Sequence, residues 1–348
     1  MIIAIDVSPL SSGHKVRGVG SYVSLIKNNI EKYDKKNKYI FFEGKCPDGV
    51  DIVHYPYFDP FFPVLPFKKK VKTIVTVHDL TPIKFKKHFP SGIRGGLKWK
   101  YNKRLLKSVD KILVDSKASK EDVIAKVGID SSKVEVVYLA VGSQFKKLKT
   151  DNFKLEIKKK FDLPDDFLLY VGDATWNKNL PRIIGAAKKL NRNLVLVGKV
   201  WETKLSDISN NPWNKDLRNV LKEIDNDKRF IKLGFISEEE IVKIYNSATV
   251  LLMPSLDEGF GLPVLEAMSS GCPVITSREG SLPEVGGDAV LYADANSVDS
   301  IAEGIEKLLK DERLREELSQ KGFVQAKKFS LEKTINNLVR IYNNFSNE

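Results

Sequence analysis

Cysteine is almost absent from this sequence: Cys46 and Cys272 are the only two in 348 residues. They stand far apart and in no CxxC or metal-type spacing, so a disulfide framework is excluded and a reducing, cytoplasmic setting fits. Long apolar runs are missing too. No stretch reaches the roughly 18–20 residues that cross a bilayer. The opening segment MIIAIDVSPL carries no basic residue ahead of its apolar stretch, and it reads as a first buried strand rather than a secretory leader. The four histidines, His14, His54, His78 and His88, show no ligand spacing. No Ser-His-Asp set or glycosidase carboxylate pair can be drawn, so neither a metal nor a cofactor is expected. What is left is ordinary globular composition, 42% hydrophobic and 29% charged, in a chain long enough for two domains.

Charge is unevenly placed. Residues 1–150 hold 29 Lys/Arg against 14 Asp/Glu, a net +15, and residues 151–348 hold 28 against 31, a net −3. A basic first half suggests a polyanionic partner: nucleic acid, an anionic membrane face or a phosphorylated substrate. Lysine used wherever a surface needs charge would give the same count.

Short apolar runs alternate with helical stretches. In the first half they are 2–7, 39–43, 51–55, 73–78, 111–115 and 134–139; in the second, 167–172, 193–198, 230–234, 250–253, 273–276 and 289–292. Most are continuous, as in parallel strands covered on both faces. Helices are expected over 22–32, 94–108, 117–127, 180–190, 237–247, 262–269 and 298–310. Such alternation, twice over, predicts two doubly wound α/β domains with a cleft lined by strand ends. The join is placed in the polar stretch 142–163, giving domains 1–163 and 164–330. The apolar face of 331–345 predicts a last helix, which is expected to pack back on the first domain as part of 331–348.

The sharpest motif is Met253–Glu266, MPSLDEGFGLPVLE. A buried strand ends at Met253, a glycine-bearing turn follows, and a helix opens at Leu262–Pro263, where proline suits the first turn. Gly259 and Gly261 let the turn approach a ligand closely, and the helix's positive end makes an anion site suited to a diphosphate. Glu258 at its lip and Glu266, placed in the first helical turn, are carboxylates able to accept hydrogen bonds from vicinal hydroxyls. Each also has a plainer reading, Glu258 as a solvated loop acid and Glu266 as an acid favoured by the helix dipole.

Taken together, EGFGLPVLEAMSSGCPVI resembles the hallmark of retaining GT-B glycosyltransferases. It is most similar to the bacterial and archaeal family that builds surface glycans from nucleotide sugars. VTVHDLTPI at 75–83, VDSKASKEDV at 114–123 and VGDATWNKNL at 171–180 match the same family in order. The resemblance implies two facing Rossmann-like domains with the donor on the second. It implies that Glu258 holds the sugar hydroxyls and Glu266 the ribose. The diphosphate would sit on the turn of Gly259, Phe260, Gly261 and Leu262, with Lys178 adding a point charge. Asp173 and Asn177 stand where the family usually carries an arginine, so neutralisation would lean on Lys178, Arg182 or Lys199. Gly198 and Phe235 would frame the nucleobase. On the first domain, His78 would sit at the sugar's reacting end, Asp79 would cap the following turn, and the turn Arg17–Ser21, with Gly18 and Gly20, would close over diphosphate and acceptor. Asp225-Asn226-Asp227 spells DxD but reads as a plain turn.

Lys68, Lys69 and Lys70 precede a strand, and Lys98, Lys100, Lys103 and Arg104 crowd a helix with Trp99. With the proline-rich, aromatic run 57–67 between them, they read as a membrane or acceptor patch. The resulting expectation is a retaining, metal-independent hexosyltransferase with a nucleotide sugar donor and a glycan or lipid-linked glycan acceptor. It would act in the cytoplasm, docked peripherally on the anionic inner face of the membrane. A nucleotide-sugar epimerase or glycan phosphorylase on the same fold is the second reading, and a nucleic-acid-binding protein using the basic half is the third.

Overall fold

The computed structural model describes residues 1–13, 18–150 and 152–346. Each of the twelve expected apolar runs overlaps a strand, and the strands fall into two separate six-stranded sheets. The chain divides into two compact units, Met1–Ala140 with Phe329–Glu348, and Val141–Lys328.

In the first unit, β1 (Ile2–Asp6), β2 (Lys38–Phe42), β3 (Ile52–Tyr55), β4 (Lys72–Val77), β5 (Lys111–Val114) and β6 (Val134–Val136) form a parallel sheet in the order β2-β1-β3-β4-β5-β6. Every residue of β3 is buried, which explains why the sequence runs apolar there without alternating. The last helix, Leu331–Ser346, packs on helix Gly18–Tyr33 of this same unit, and its Tyr342 hydroxyl lies 2.6 Å from His54 Nδ1. Helix Gly18–Tyr33 corrects one expectation: Gly18 and Gly20 form its first turn rather than an open loop. Gly20 shares a buried stripe with Val23, Ile26 and Ile30, so the helical face begins earlier than the bulky residues suggest. Arg17 and His14 lie outside the described residues.

In the second unit, β7 (Leu168–Val171), β8 (Leu194–Val197), β9 (Phe230–Gly234), β10 (Val250–Met253), β11 (Val274–Thr276) and β12 (Leu291–Tyr292) run in the order β12-β11-β10-β7-β8-β9. The order reverses between β7 and β10, the point at which such sheets leave a crevice at their carboxyl ends. The first unit ends at Ala140 rather than at residue 163. Much of the lysine-rich stretch taken for a linker is helix Asn152–Phe161, whose Phe153 and Ile157 are buried one turn apart. It packs on helix Glu238–Ser247 of the second unit, with Lys243 Nζ 3.0 Å from Glu156.

Candidate active site

The loops that follow β7 and β10 meet at the reversal point and are stitched together by amide side chains. Asn177 Nδ2 donates to the Asp257 carbonyl at 3.0 Å, and the Leu256 N–H returns to the Asn177 carbonyl at 2.7 Å. Asn179, in the left-handed region at φ 61°, donates to the Pro254 and Ala295 carbonyls. Asn177, where the resembled family carries an arginine, is therefore a buried strut. Arg182 is tied to Asn179 Oδ1 at 2.8 Å and to the Asn296 carbonyl at 3.2 Å.

This stitching brings Lys178 and Glu258 into contact. Lys178 Nζ lies 2.8 Å from both Glu258 oxygens, and the Ser255 hydroxyl donates to Oε1 at 2.7 Å. The glutamate side chain is 7% exposed and the lysine 20%, so the plain reading of Glu258 as a solvated loop acid fails. Two small residues that carry no motif of their own fix its backbone. Ser281 donates to the Glu258 carbonyl through both its N–H and its hydroxyl at 3.1 Å. That hydroxyl also reaches the Phe260 carbonyl at 2.7 Å. Gly280, at φ +57°, lies so close that a Cβ there would sit 2.5 Å from the Glu258 carbonyl oxygen and 2.7 Å from its nitrogen. Gly261, at φ +98°, then caps helix Leu262–Ser269, with Pro263 in its first turn. The turn of Gly259, Phe260, Gly261 and Leu262 thus joins the ion pair directly to a helix N-terminus, where positive potential is built in.

Glu266 lies one residue beyond the first turn of that helix, and its Oε2 accepts from the Tyr245 hydroxyl at 2.8 Å. Burial pushes its carboxyl up to about 7, against the lowering pull of Tyr245. This position weakens the dipole explanation, which holds only near the first turn. A folded value above the unfolded 4.5 means the native state keeps its proton longer. Stability is then full below about pH 4.5 and declines until pH passes 7, by up to about 3 kcal/mol. Glu266→Gln is expected to remove that decline, raising the melting temperature at pH 8 but not at pH 4.5. Equal pH profiles for the two proteins in thermal melts would reject the shift.

Gly198 and Phe235 stand beyond the tips of β8 and β9. Gly198 is held against Gly172, whose carbonyl oxygen would lie 2.6 Å from an added Cβ. The Phe235 N–H donates to Glu202 Oε1 at 2.8 Å while its ring is exposed. The DxD run is structural: Asp227 is bound by Arg229, whose hydrogen bonds hold the carboxyl down to about 2.

In the first unit, Val77 pairs with Val114 across β4 and β5, so the next residues, His78 and Asp115, are neighbours. His78 Nδ1 lies 2.6 Å from Asp115 Oδ2 and Nε2 lies 3.2 Å from the Pro56 carbonyl. Both partners accept, so both ring nitrogens donate and the imidazole carries charge. Burial pulls its pKa down, but Asp115 and the Pro56 carbonyl outweigh it, and the net shift is upward. Tyr22 meets the ring edge-on at 5.2 Å. Asp79 accepts from the Thr81 N–H at 2.9 Å, capping the next turn.

The basic patch divides. Trp99 is not on the surface: on helix Gly92–Lys107 it faces the core with Asn102 and Leu106. Lys69 is not free either, its ammonium tied to the Leu105 carbonyl at 3.1 Å. Lys68, Lys70, Lys98, Lys100 and Arg104 are exposed and Lys103 is half-buried. The exposed apolar residues are instead Phe62, Phe67, Ile93, Leu97 and Tyr101.

The family described as glycosyl transferases group 1 matches residues 151–325, and Glycosyltransferase Family 4 matches residues 29–144. The chain is 30% identical over 300 residues to the O-antigen chain mannosyltransferase B of Escherichia coli, covering 84% of this chain and 75% of that one. It is 31% identical over 267 residues to the serotype-specific mannosyltransferase WbdA of Escherichia coli, covering 74% of this chain but 32% of that longer protein. Among solved structures, sucrose-phosphate synthase from Thermosynechococcus elongatus superposes with TM-score 0.75 at 17% identity over 99% of both chains. Anabaena Alr3699/HepE in complex with UDP-glucose does so with TM-score 0.72 at 14% identity, over 99% of this chain and 100% of that one. The two parallel six-stranded sheets are those of the GT-B fold, and the chain belongs to the group 1 glycosyl transferases.

Proposed function

We propose that this chain is a retaining glycosyltransferase that moves a hexose from a nucleotide-diphosphate sugar to a growing, lipid-linked surface glycan at the cytoplasmic face of the membrane. One observation carries the donor half: the Lys178–Glu258 ion pair sits where the sheet order reverses, on a turn capped by Gly261. The two named relatives, both mannosyltransferases and one of them an O-antigen chain enzyme, and the neighbour that holds UDP-glucose support the reading.

The chemistry follows from charge. An arriving diphosphate competes with Glu258 for the Lys178 ammonium and takes the helix end as its second positive partner. Glu258, still fixed by Gly280 and Ser281, is freed to accept from sugar hydroxyls, while Glu266 receives the ribose. Positive charge aimed at the departing diphosphate supplies the stabilisation that a metal would otherwise provide, a term of about 3–4 kcal/mol per well-placed donor. His78, held as a cation by two acceptors that take both its N–H groups, offers positive charge rather than a base.

A thermal-shift panel of GDP, UDP, ADP and CDP, run with and without EDTA, tests this. One diphosphate should raise the melting temperature by several degrees, unaffected by EDTA, and the matching nucleotide sugar should then be turned over on acceptor. No stabilisation by any of the four would overturn the donor assignment.

A further inference from the structure

Between β3 and β4 the chain covers residues 56–71 without a helix. Parallel strands need a long crossover, usually helical. Here Pro56, Pro60, Pro63 and Pro66 recur too closely to permit one. The sheet face carrying Val53, Tyr55 and Thr73 is therefore covered by irregular chain, and a cavity of about 980 Å³ remains between them. A space this large falls at the top of the range of ligand pockets, roughly 300–1,000 Å³.

Its walls are mainly apolar, from Val53, Tyr55, Val64, Leu65, Pro66 and Val71. Its lining also includes the exposed lysines Lys45, Lys68 and Lys70. Of the acids that line it, Asp59 already accepts from the Phe61 and Phe62 N–H groups and the Tyr57 hydroxyl, and Asp6 from Ser8. Asp48 faces Lys70 at 3.9 Å, with both side chains open to solvent. The covering loop is anchored on helix Gly92–Lys107 through Asn102, which donates to the Asp59, Pro60 and Phe62 carbonyls. Phe62, a wall residue, is itself exposed and lies under Lys98 at 4.9 Å. Phe62 thus ties the rim of the cavity to Lys98 on helix Gly92–Lys107.

An apolar space with exposed ammonium groups among its lining residues has the chemistry of a hydrocarbon chain ending in phosphate. We propose that this cavity takes up the chain of the phosphorylated lipid that carries the acceptor, with Lys45, Lys68 and Lys70 around its phosphate. This rests on the lipid-linked acceptor reading above and deepens it. The lipid is gripped in a slot of the first unit, so the protein recognises the carrier as well as the sugar it bears.

Isothermal titration of the full chain with farnesyl phosphate, below its micelle concentration, tests the idea against inorganic phosphate. Saturable binding of farnesyl phosphate is expected, with none from inorganic phosphate over the same range. Val64→Trp, which fills the cavity from a half-buried loop position, should weaken it at least tenfold. Lys68→Glu/Lys70→Glu alters only exposed residues, so the fold survives, and it should weaken binding similarly. Lys98→Glu/Arg104→Glu should leave farnesyl phosphate binding unchanged while reducing pelleting with vesicles of anionic lipid. Absence of farnesyl phosphate binding, equal binding of inorganic phosphate, or binding indifferent to both Val64→Trp and the rim reversal would each overturn the slot. If the nucleoside diphosphate panel fails while farnesyl phosphate binds, the transferase reading falls and the lipid site stands.

Discussion

Glu258→Gln is expected to lower sugar transfer by roughly 10²–10³-fold while nucleoside diphosphate affinity stays equal to or above that of the wild type. The amide keeps the shape of the side chain and its contact with Ser255, so the loop stays in place. It removes the anion that holds Lys178 at 2.8 Å, leaving the ammonium more available to the diphosphate. Loss of turnover with retained nucleotide binding is what a sugar-holding carboxylate predicts. Gly280→Ala supplies the companion test. It alters no chemical group at the site, yet its Cβ would collide with Glu258 backbone atoms at 2.5 and 2.7 Å. It should reduce kcat by displacing the carboxylate. Steady-state kinetics and nucleotide titration of both variants decide the matter, and near-normal turnover in Glu258→Gln would discard the role assigned to Glu258.

The sheets were legible because parallel strands buried on both faces write continuous apolar runs. β10, VLLM, admits no other economical reading. Helix Lys215–Ile224 went unread: Leu217, Val220, Leu221 and Ile224 are buried at helical spacing, but its polar surroundings masked the pattern. Helices Asn152–Phe161 and Glu312–Ala326 bury few apolar side chains, so tertiary packing rather than pattern defines them. At the site, Glu258 and Lys178 stood out because their loops carry local motifs. Gly280 and Ser281 did not, since a glycine at φ +57° and a serine hydroxyl acquire meaning only once β11 places residues 277–281 against residue 258. Trp99 misled for the same reason. Surrounded in sequence by Lys98 and Lys100, it faces the core because helical spacing sets it with Asn102 and Leu106.

Asp115→Asn is expected to destabilise the first unit by about 3 kcal/mol, roughly 6–12 °C in melting temperature for a unit of this size. The Asp115 side chain is 3% exposed and that of His78 15%, so little water can replace the lost charge. An amide oxygen still accepts from Nδ1, but without the carboxylate His78 sheds its second proton and turns a lone pair toward the Pro56 carbonyl. The pH dependence has a definite sign. Burial raises the Asp115 carboxyl, and Asp115 with Pro56 raises His78 against its own burial. The native state therefore binds more protons than the unfolded chain. The stabilisation is complete below the unfolded histidine value of about 6.5 and is lost as pH rises through the higher folded value. Asp115→Asn should flatten that slope. Replacing both partners, His78→Leu with Asp115→Leu, removes the buried charges together and should restore most of the stability, since an apolar pair can equal a buried ion pair. It should not restore transfer, because the positive charge of the imidazolium at the end of β4 is gone. Thermal melts across pH 5–9 beside transfer assays separate the two roles. Unchanged stability in Asp115→Asn, or an active double variant, would break the link between this pair and the reaction.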